Sequence, residues 1–167
     1  MSDRHAPELA VSQWFNTAEP LTLAGLRGKV VLLHAFQMLC PGCVSHGTPQ
    51  AEKAHRMFTG SDLQVIGLHT VFEHHAAMTP VSLDAYIREY RLTMPIGVDE
   101  AGKGTPVPVT MERYAMRGTP SAILIGRDGR ILHRGFPGRR RTWHWAPVLR
   151  RHWHRRQANM VEGTRGG

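Results

Sequence analysis

The sequence has few cysteines, no long apolar run and, over much of its last third, no acidic residue. Two cysteines in 167 residues are too few for the disulfide framework of a small secreted scaffold. No apolar stretch approaches the ~20 residues that cross a bilayer as a helix, which excludes an integral helical membrane protein. The opening MSDRHAPELAVSQWF lacks an apolar segment of signal-peptide type, so a cytoplasmic location is expected. Aromatic residues make up only 7%, yet the hydrophobic fraction is 41% against 20% charged, an ordinary globular balance that excludes intrinsic disorder. A chain of this length buries roughly 70% of the surface its unfolded form exposes. One domain over residues 1–156 is expected, with 157–167 as a tail that has little to bury.

The missing acids localise the charge. Between Arg134 and Arg156 there are eight arginines and no Asp or Glu; removing those eight from the 21 Lys and Arg leaves 13, matching the 13 acidic residues. The net charge of +8 therefore belongs to the C-terminal end. Residues 146–156 read as a basic closing helix, with Val148, Leu149 and Trp153 on one face and most arginines elsewhere. Arginines solvated on the outer face explain this pattern without nucleic acid or an anionic membrane as partner.

Residues 1–17 read as an extended arm, because Pro7 opposes a helix, with Trp14 and Phe15 as anchors. Residues 29–36 (KVVLLHAF) and 63–70 (LQVIGLHT) have the continuous apolar character of strands buried on both faces, as in parallel sheets. Between them a helix opens at Cys40-Pro-Gly-Cys43, with Pro41 suited to its first position. Val44, Thr48, Ala51, His55 and Phe58 recur at helical spacing; Pro49 should kink this helix, and Gly60 ends it. Residues 71–79 read as a loop, 81–90 as a helix, 94–98 as a short strand and 112–116 as a short helix or turn. Residues 121–125 and 130–134 flank Asp128-Gly129, a hairpin signal. The order describes an α/β fold with a mixed sheet flanked by helices. The cysteine pair lies at the carboxyl edge of that sheet, where such folds place their sites.

At a helix start, Cys40 meets unpaired N–H groups and the positive end of the helix dipole, both of which favour thiolate. Cys43, one turn on, is close enough to form the internal disulfide but deeper. Thiol–disulfide exchange follows: Cys40 attacks, and Cys43 resolves the mixed disulfide. A zinc knuckle is the competing use of Cys-Pro-x-Cys, but it needs two further ligands, here histidines such as His46 or His69.

Residues 30–36, Cys40-Pro-Gly-Cys43 and Arg117-Gly-Thr-Pro-Ser-Ala-Ile-Leu-Ile125 resemble the thioredoxin superfamily, and within it the TlpA-like and AhpC/TSA-like redoxins. The resemblance spans about residues 7–138. It implies a thioredoxin-like fold, a redox-active Cys40–Cys43 pair, and a cis Pro120 facing that pair. It also implies that Thr119 offers its backbone to an extended substrate segment. Three departures stand out: Leu39 where tryptophan is usual before the first cysteine, His34 at the polar position six before it, and Pro49 one residue late. They bear on redox potential and on the proton route. His34 could accept the Cys43 proton, since imidazole titrates near neutrality; a hydrogen-bonded core histidine is the plainer reading. Glu73, His74 and His75 lie on a loop that could approach the site; a solvated loop is the plainer reading.

The expected function is a cytosolic disulfide reductase acting on a protein or small-molecule disulfide and recharged by an unidentified electron donor. No cofactor is implied, since the two thiols carry the electrons. A peroxiredoxin-like peroxidase is the alternative within the resemblance. Its Pro-x-x-x-Thr-x-x-Cys loop is missing, with Leu33 and Gln37 at those places before Cys40. A copper-binding chaperone on this fold is a third reading. Thiolates do select Cu(I), but C-x-x-x-C is the pattern usual for such chaperones.

Overall fold

The computed structural model describes residues 5–135. Its elements in chain order are β1 (Val11–Phe15), β2 (Val30–Phe36), a π-helical turn (Cys43–Gly47), α1 (Thr48–Phe58), β3 (Leu63–His69), α2 (Pro80–Glu89), β4 (Ile96–Asp99), α3 (Val109–Arg113), β5 (Ser121–Ile125) and β6 (Ile131–Gly135). The strands form one six-stranded sheet in the order β1-β4-β3-β2-β5-β6. β2 pairs parallel with β3 and antiparallel with β5, and β3 pairs parallel with β4. β1 and β6 add antiparallel edges. This is the mixed sheet flanked by helices that the sequence predicts. The closing helix over 146–156, the run Arg139 to Arg141 and the tail 157–167 lie outside the described residues.

The two strands read as near-continuous apolar runs, β2 and β3, are the central ones of the sheet. β2 is buried at every position. Leu33, Ile66, Leu68, Tyr114 and Ile123 form a core cluster on one side, against which Trp14 and Val11 pack. That packing corrects the reading of the N-terminus. The arm is extended, but its residues 11–15 are a strand, pairing Phe15 with Ile96 and Trp14 with Gly97. An edge strand with one wet face has too little apolar content to be legible alone.

Two helix starts also differ from expectation. α2 begins at Pro80, where the Thr79 hydroxyl accepts the Ser82 N–H at 3.2 Å, an N-cap followed by proline at the first position. α3 begins at Val109 rather than 112. Its cap comes from elsewhere: Asp99, at the end of β4, accepts from Thr110 N at 2.8 Å and Met111 N at 3.0 Å. A cap supplied across the fold leaves no local signal.

Candidate active site

β2 delivers the chain to the sheet edge at Phe36, and the next residues turn it into a helix. The Cys40 N–H donates to Gln37 O at 3.1 Å, and Val44 N–H closes on Cys40 O at 3.0 Å. Helical geometry starts at Pro41, as the proline predicts. The two cysteines thereby acquire unlike surroundings. Cys40 is half-buried and Cys43 fully buried, both as free thiols. The Cys43 N–H donates to Cys40 Sγ at 3.3 Å, and the Cys40 thiol donates to Thr119 O at 3.5 Å. Burial pushes the Cys43 thiol well above the usual thiol range, reinforced by its hydrogen bond with Cys40; the Gln37 backbone and Thr119 side chain pull the other way and lose. The Thr119–Pro120 bond is cis, and it places Thr119 O beside the more accessible thiol.

The kink expected at Pro49 takes another form. Pro49 has no N–H for the carbonyl one turn back, and its ring crowds that carbonyl. The ladder widens before it: Thr48 N–H donates to Cys43 O, and residues 43–47 form a π-helical turn. α1 then restarts with the proline in its first turn. Such turns occur often at functional sites, and this one begins on the second cysteine.

The widened turn brings Gly47 against the floor of the site. A Cβ there would lie 2.8 Å from His34 Cε1 and 2.9 Å from Pro120 Cβ. Glycine inside a helix costs about 1 kcal/mol relative to alanine, and this close approach is what that cost permits. Gly47→Ala should therefore destabilise the protein, by roughly 1–2 kcal/mol after overpacking is set against the gain in propensity. Urea unfolding checks the sign; a rise in midpoint would show that the site has room to spare.

His34 projects from β2 into this floor and is fully buried. Its Nε2 shares a hydrogen bond with Thr48 Oγ1 at 3.0 Å, and its ring stacks on Phe36 at 5.4 Å. Burial lowers its pKa from 6.5 to about 3. His69, named as a zinc candidate, instead accepts the Met38 N–H on Nε2 at 3.2 Å. His46 lies on the surface, with Nδ1 bonded to Ser45 Oγ at 2.6 Å.

The loop after β3 is not simply solvated. A cleft of about 320 Å³ opens beside Cys40 and Thr119, and Phe72, Glu73, His74 and Met78 form part of its wall. Gln37 ties the loop down: its Oε1 accepts from Phe72 N at 3.2 Å, and its Nε2 donates to Glu73 Oε1 at 3.2 Å. His74 turns the loop with φ 51°, a left-handed conformation uncommon outside glycine. Gly47 is the site residue that sequence reasoning misses outright; Gln37 enters that reasoning only against a peroxidase loop, and Glu73 and His74 read there as solvated although they line the cleft. Only Gly47 carries a local signal, as a glycine in a helical pattern.

Known proteins resemble this chain in sequence and fold. A model of the AhpC/TSA family matches residues 3–134. Protein DipZ of Mycobacterium bovis is 29% identical over 131 residues, which are 77% of this chain and 18% of that protein, so the chain spans under a fifth of this curated relative. Among solved structures, a thioredoxin-like superfamily protein superposes with a TM-score of 0.79 at 53% identity, covering 82% of this chain and 88% of the other. A thiol-disulfide isomerase from Corynebacterium glutamicum gives 0.74 at 52% identity, covering 78% and 86%. With matches of this extent around a buried and an accessible thiol on one helical turn, the chain belongs to the AhpC/TSA family and is a thioredoxin-like thiol–disulfide oxidoreductase.

Proposed function

We propose that the chain is a disulfide reductase of the cytoplasm, in which Cys40 attacks and Cys43 resolves. The observation that carries this reading is the asymmetry of the pair: Cys40 is accessible beside Thr119, and Cys43 is buried with its thiol held protonated. The Cys40 thiolate attacks one sulfur of a substrate disulfide, forming a mixed disulfide and releasing the other sulfur as a thiolate that takes a proton. Cys43 then gives up its proton and attacks Cys40 Sγ, releasing the second substrate thiol. Two electrons pass to the substrate, and the protein is left with a Cys40–Cys43 disulfide for an electron donor to reduce.

Direction follows from what stabilises the reduced form. Strong oxidants of this chemistry stabilise their reduced state. Cys43 receives no such stabilisation, since burial keeps its thiol protonated, and a reducing role is consistent with that. Thr119 and Pro120 form the surface on which a substrate strand rests. His34 is assigned a positioning part: the burial that keeps it neutral also makes it a weak base, so it holds Thr48 and the floor rather than taking the Cys43 proton.

Peroxide reduction is the second reading to test. It needs donors arranged for the charge that develops as the O–O bond breaks. Leu33, where the peroxidase loop would have proline, is buried in the core. Gln37, where it would have threonine, spends its amide on Phe72 and Glu73. Reduced protein should therefore be oxidised much faster by hydroxyethyl disulfide than by hydrogen peroxide at equal concentration, followed by acid quench and mass spectrometry. A redox titration should put the couple near the reducing cytosolic poise, about −270 mV as for thioredoxin. A peroxide rate well above that of free cysteine thiolate, abolished by Cys40→Ser, would reassign the protein as a peroxidase; a potential near −120 mV would make it an oxidant.

A further inference from the structure

We propose that the cleft beside Cys40 is a specificity subsite, and that Glu73 makes it select disulfides whose cysteine is flanked by lysine or arginine. The inference rests on the reductase reading and concerns which substrates that reaction prefers. The cleft borders both Cys40 and Thr119, so a polypeptide lying along Thr119 with its sulfur at Cys40 has the cleft beside its neighbouring residues.

Its lining has two parts. Leu39, Pro41, Phe72 and Met78 supply an apolar wall, and Leu39 is left 52% exposed. At the rim stand the exposed Glu73 and His74. Among the described residues of the lining Glu73 is the one carboxylate, and it does not float. The amide of Gln37, itself only 1% exposed, donates to Glu73 Oε1 at 3.2 Å while the same amide is fixed by Phe72 N–H. That bond occupies one carboxylate oxygen and leaves the second for a ligand. An apolar wall ending in a held carboxylate matches a side chain with an aliphatic stem and a cationic head. An acidic neighbour would bring like charges together, and a small neutral one would leave the wall uncovered.

The test uses two peptide disulfides that differ only in the residue next to cysteine, lysine in one and glutamate in the other. Rates of reduction by the full-length reduced protein are compared as a ratio, which cancels any change in the intrinsic reactivity of Cys40. The lysine peptide should react roughly fivefold faster, the upper end of what an exposed ion pair contributes, and the preference should shrink with added salt. Glu73→Gln keeps the size and should bring the ratio close to one; Glu73→Lys should invert it. Gln37→Leu frees the carboxylate and should weaken the preference without abolishing it. An unchanged ratio in Glu73→Gln, or a preference for the glutamate peptide in the wild type, overturns the subsite. Hydroxyethyl disulfide separates the two levels. If the wild type reduces it yet shows no preference between peptides, only the subsite fails; if the wild type does not reduce it, the reductase reading fails and the subsite goes with it.

Discussion

Replacing Cys43 with serine should reduce turnover on a protein disulfide to background while leaving Cys40 able to attack. The first step needs only an accessible thiolate, and Cys40 is the half-buried member of the pair, on the cleft and 3.5 Å from Thr119 O. The second step needs a sulfur at the buried end of the same helical turn, and serine cannot form the new S–S bond. Product should therefore accumulate as one substrate chain linked to each enzyme chain, visible as a single mass adduct that dithiothreitol removes. Cys40→Ser should give the opposite picture, with neither turnover nor adduct, because Cys43 is covered and its thiol is held above the usual range. Alkylation at mildly acidic pH should accordingly label Cys40 first. Adducts on Cys43 in the Cys40→Ser protein would reverse the two roles. Sustained turnover by Cys43→Ser would mean that an outside thiol resolves the intermediate.

Most of the fold was legible because its central elements carry redundant signals. β2 and β3 are apolar at nearly every position, the cysteine motif carries its own N-terminal proline, and Asp128-Gly129 marks the β5–β6 turn. What escaped depends on partners distant in sequence. β1 exists because β4 offers it an edge. α3 starts where it does because Asp99 reaches across to cap it. Pro49 announced a disturbance in the helix but not its form, since a kink and a widened turn answer the same missing N–H. In the site, the pair and the cis Thr119–Pro120 bond follow from motif and resemblance together. The wall of the cleft does not. Glu73 lies 33 positions after Cys40, on a loop whose polar residues read as solvated, and only the buried Gln37 amide shows why it is held there.

Acid should weaken the protein well before its carboxylates titrate, because two histidines are buried in neutral form. Burial lowers His34 from 6.5 to about 3 and His69 from 6.5 to about 4. In the unfolded chain both take up protons near 6.5, so below that pH the unfolded state binds more protons than the folded one, and stability falls as pH falls. The contribution is complete above about 6.5 and is lost progressively towards the folded values. At pH 5 the loss is roughly 2 kcal/mol for each histidine, a large part of the 5–15 kcal/mol typical of a domain. The shifted carboxylates do not imitate this. For Glu52, burial pushes upward, but hydrogen bonds from Thr93, Arg56 and Met94 outweigh it and the net is downward, so its stabilisation is lost only below its ordinary value of 4.5. Burial raises Asp99, so the folded state takes up that proton first, which offsets part of the histidine loss. Urea unfolding at pH 7 and pH 5 should show the midpoint falling, with the slope against urea unchanged. His34→Gln keeps a partner for Thr48 and His69→Gln an acceptor for the Met38 N–H, and neither titrates. Each should remove about half of the difference between the two pH values, even where its stability at pH 7 is lower. An equal midpoint at both pH values in the wild type would mean that the histidines reach solvent and protons in the folded state, and their burial would have to be abandoned.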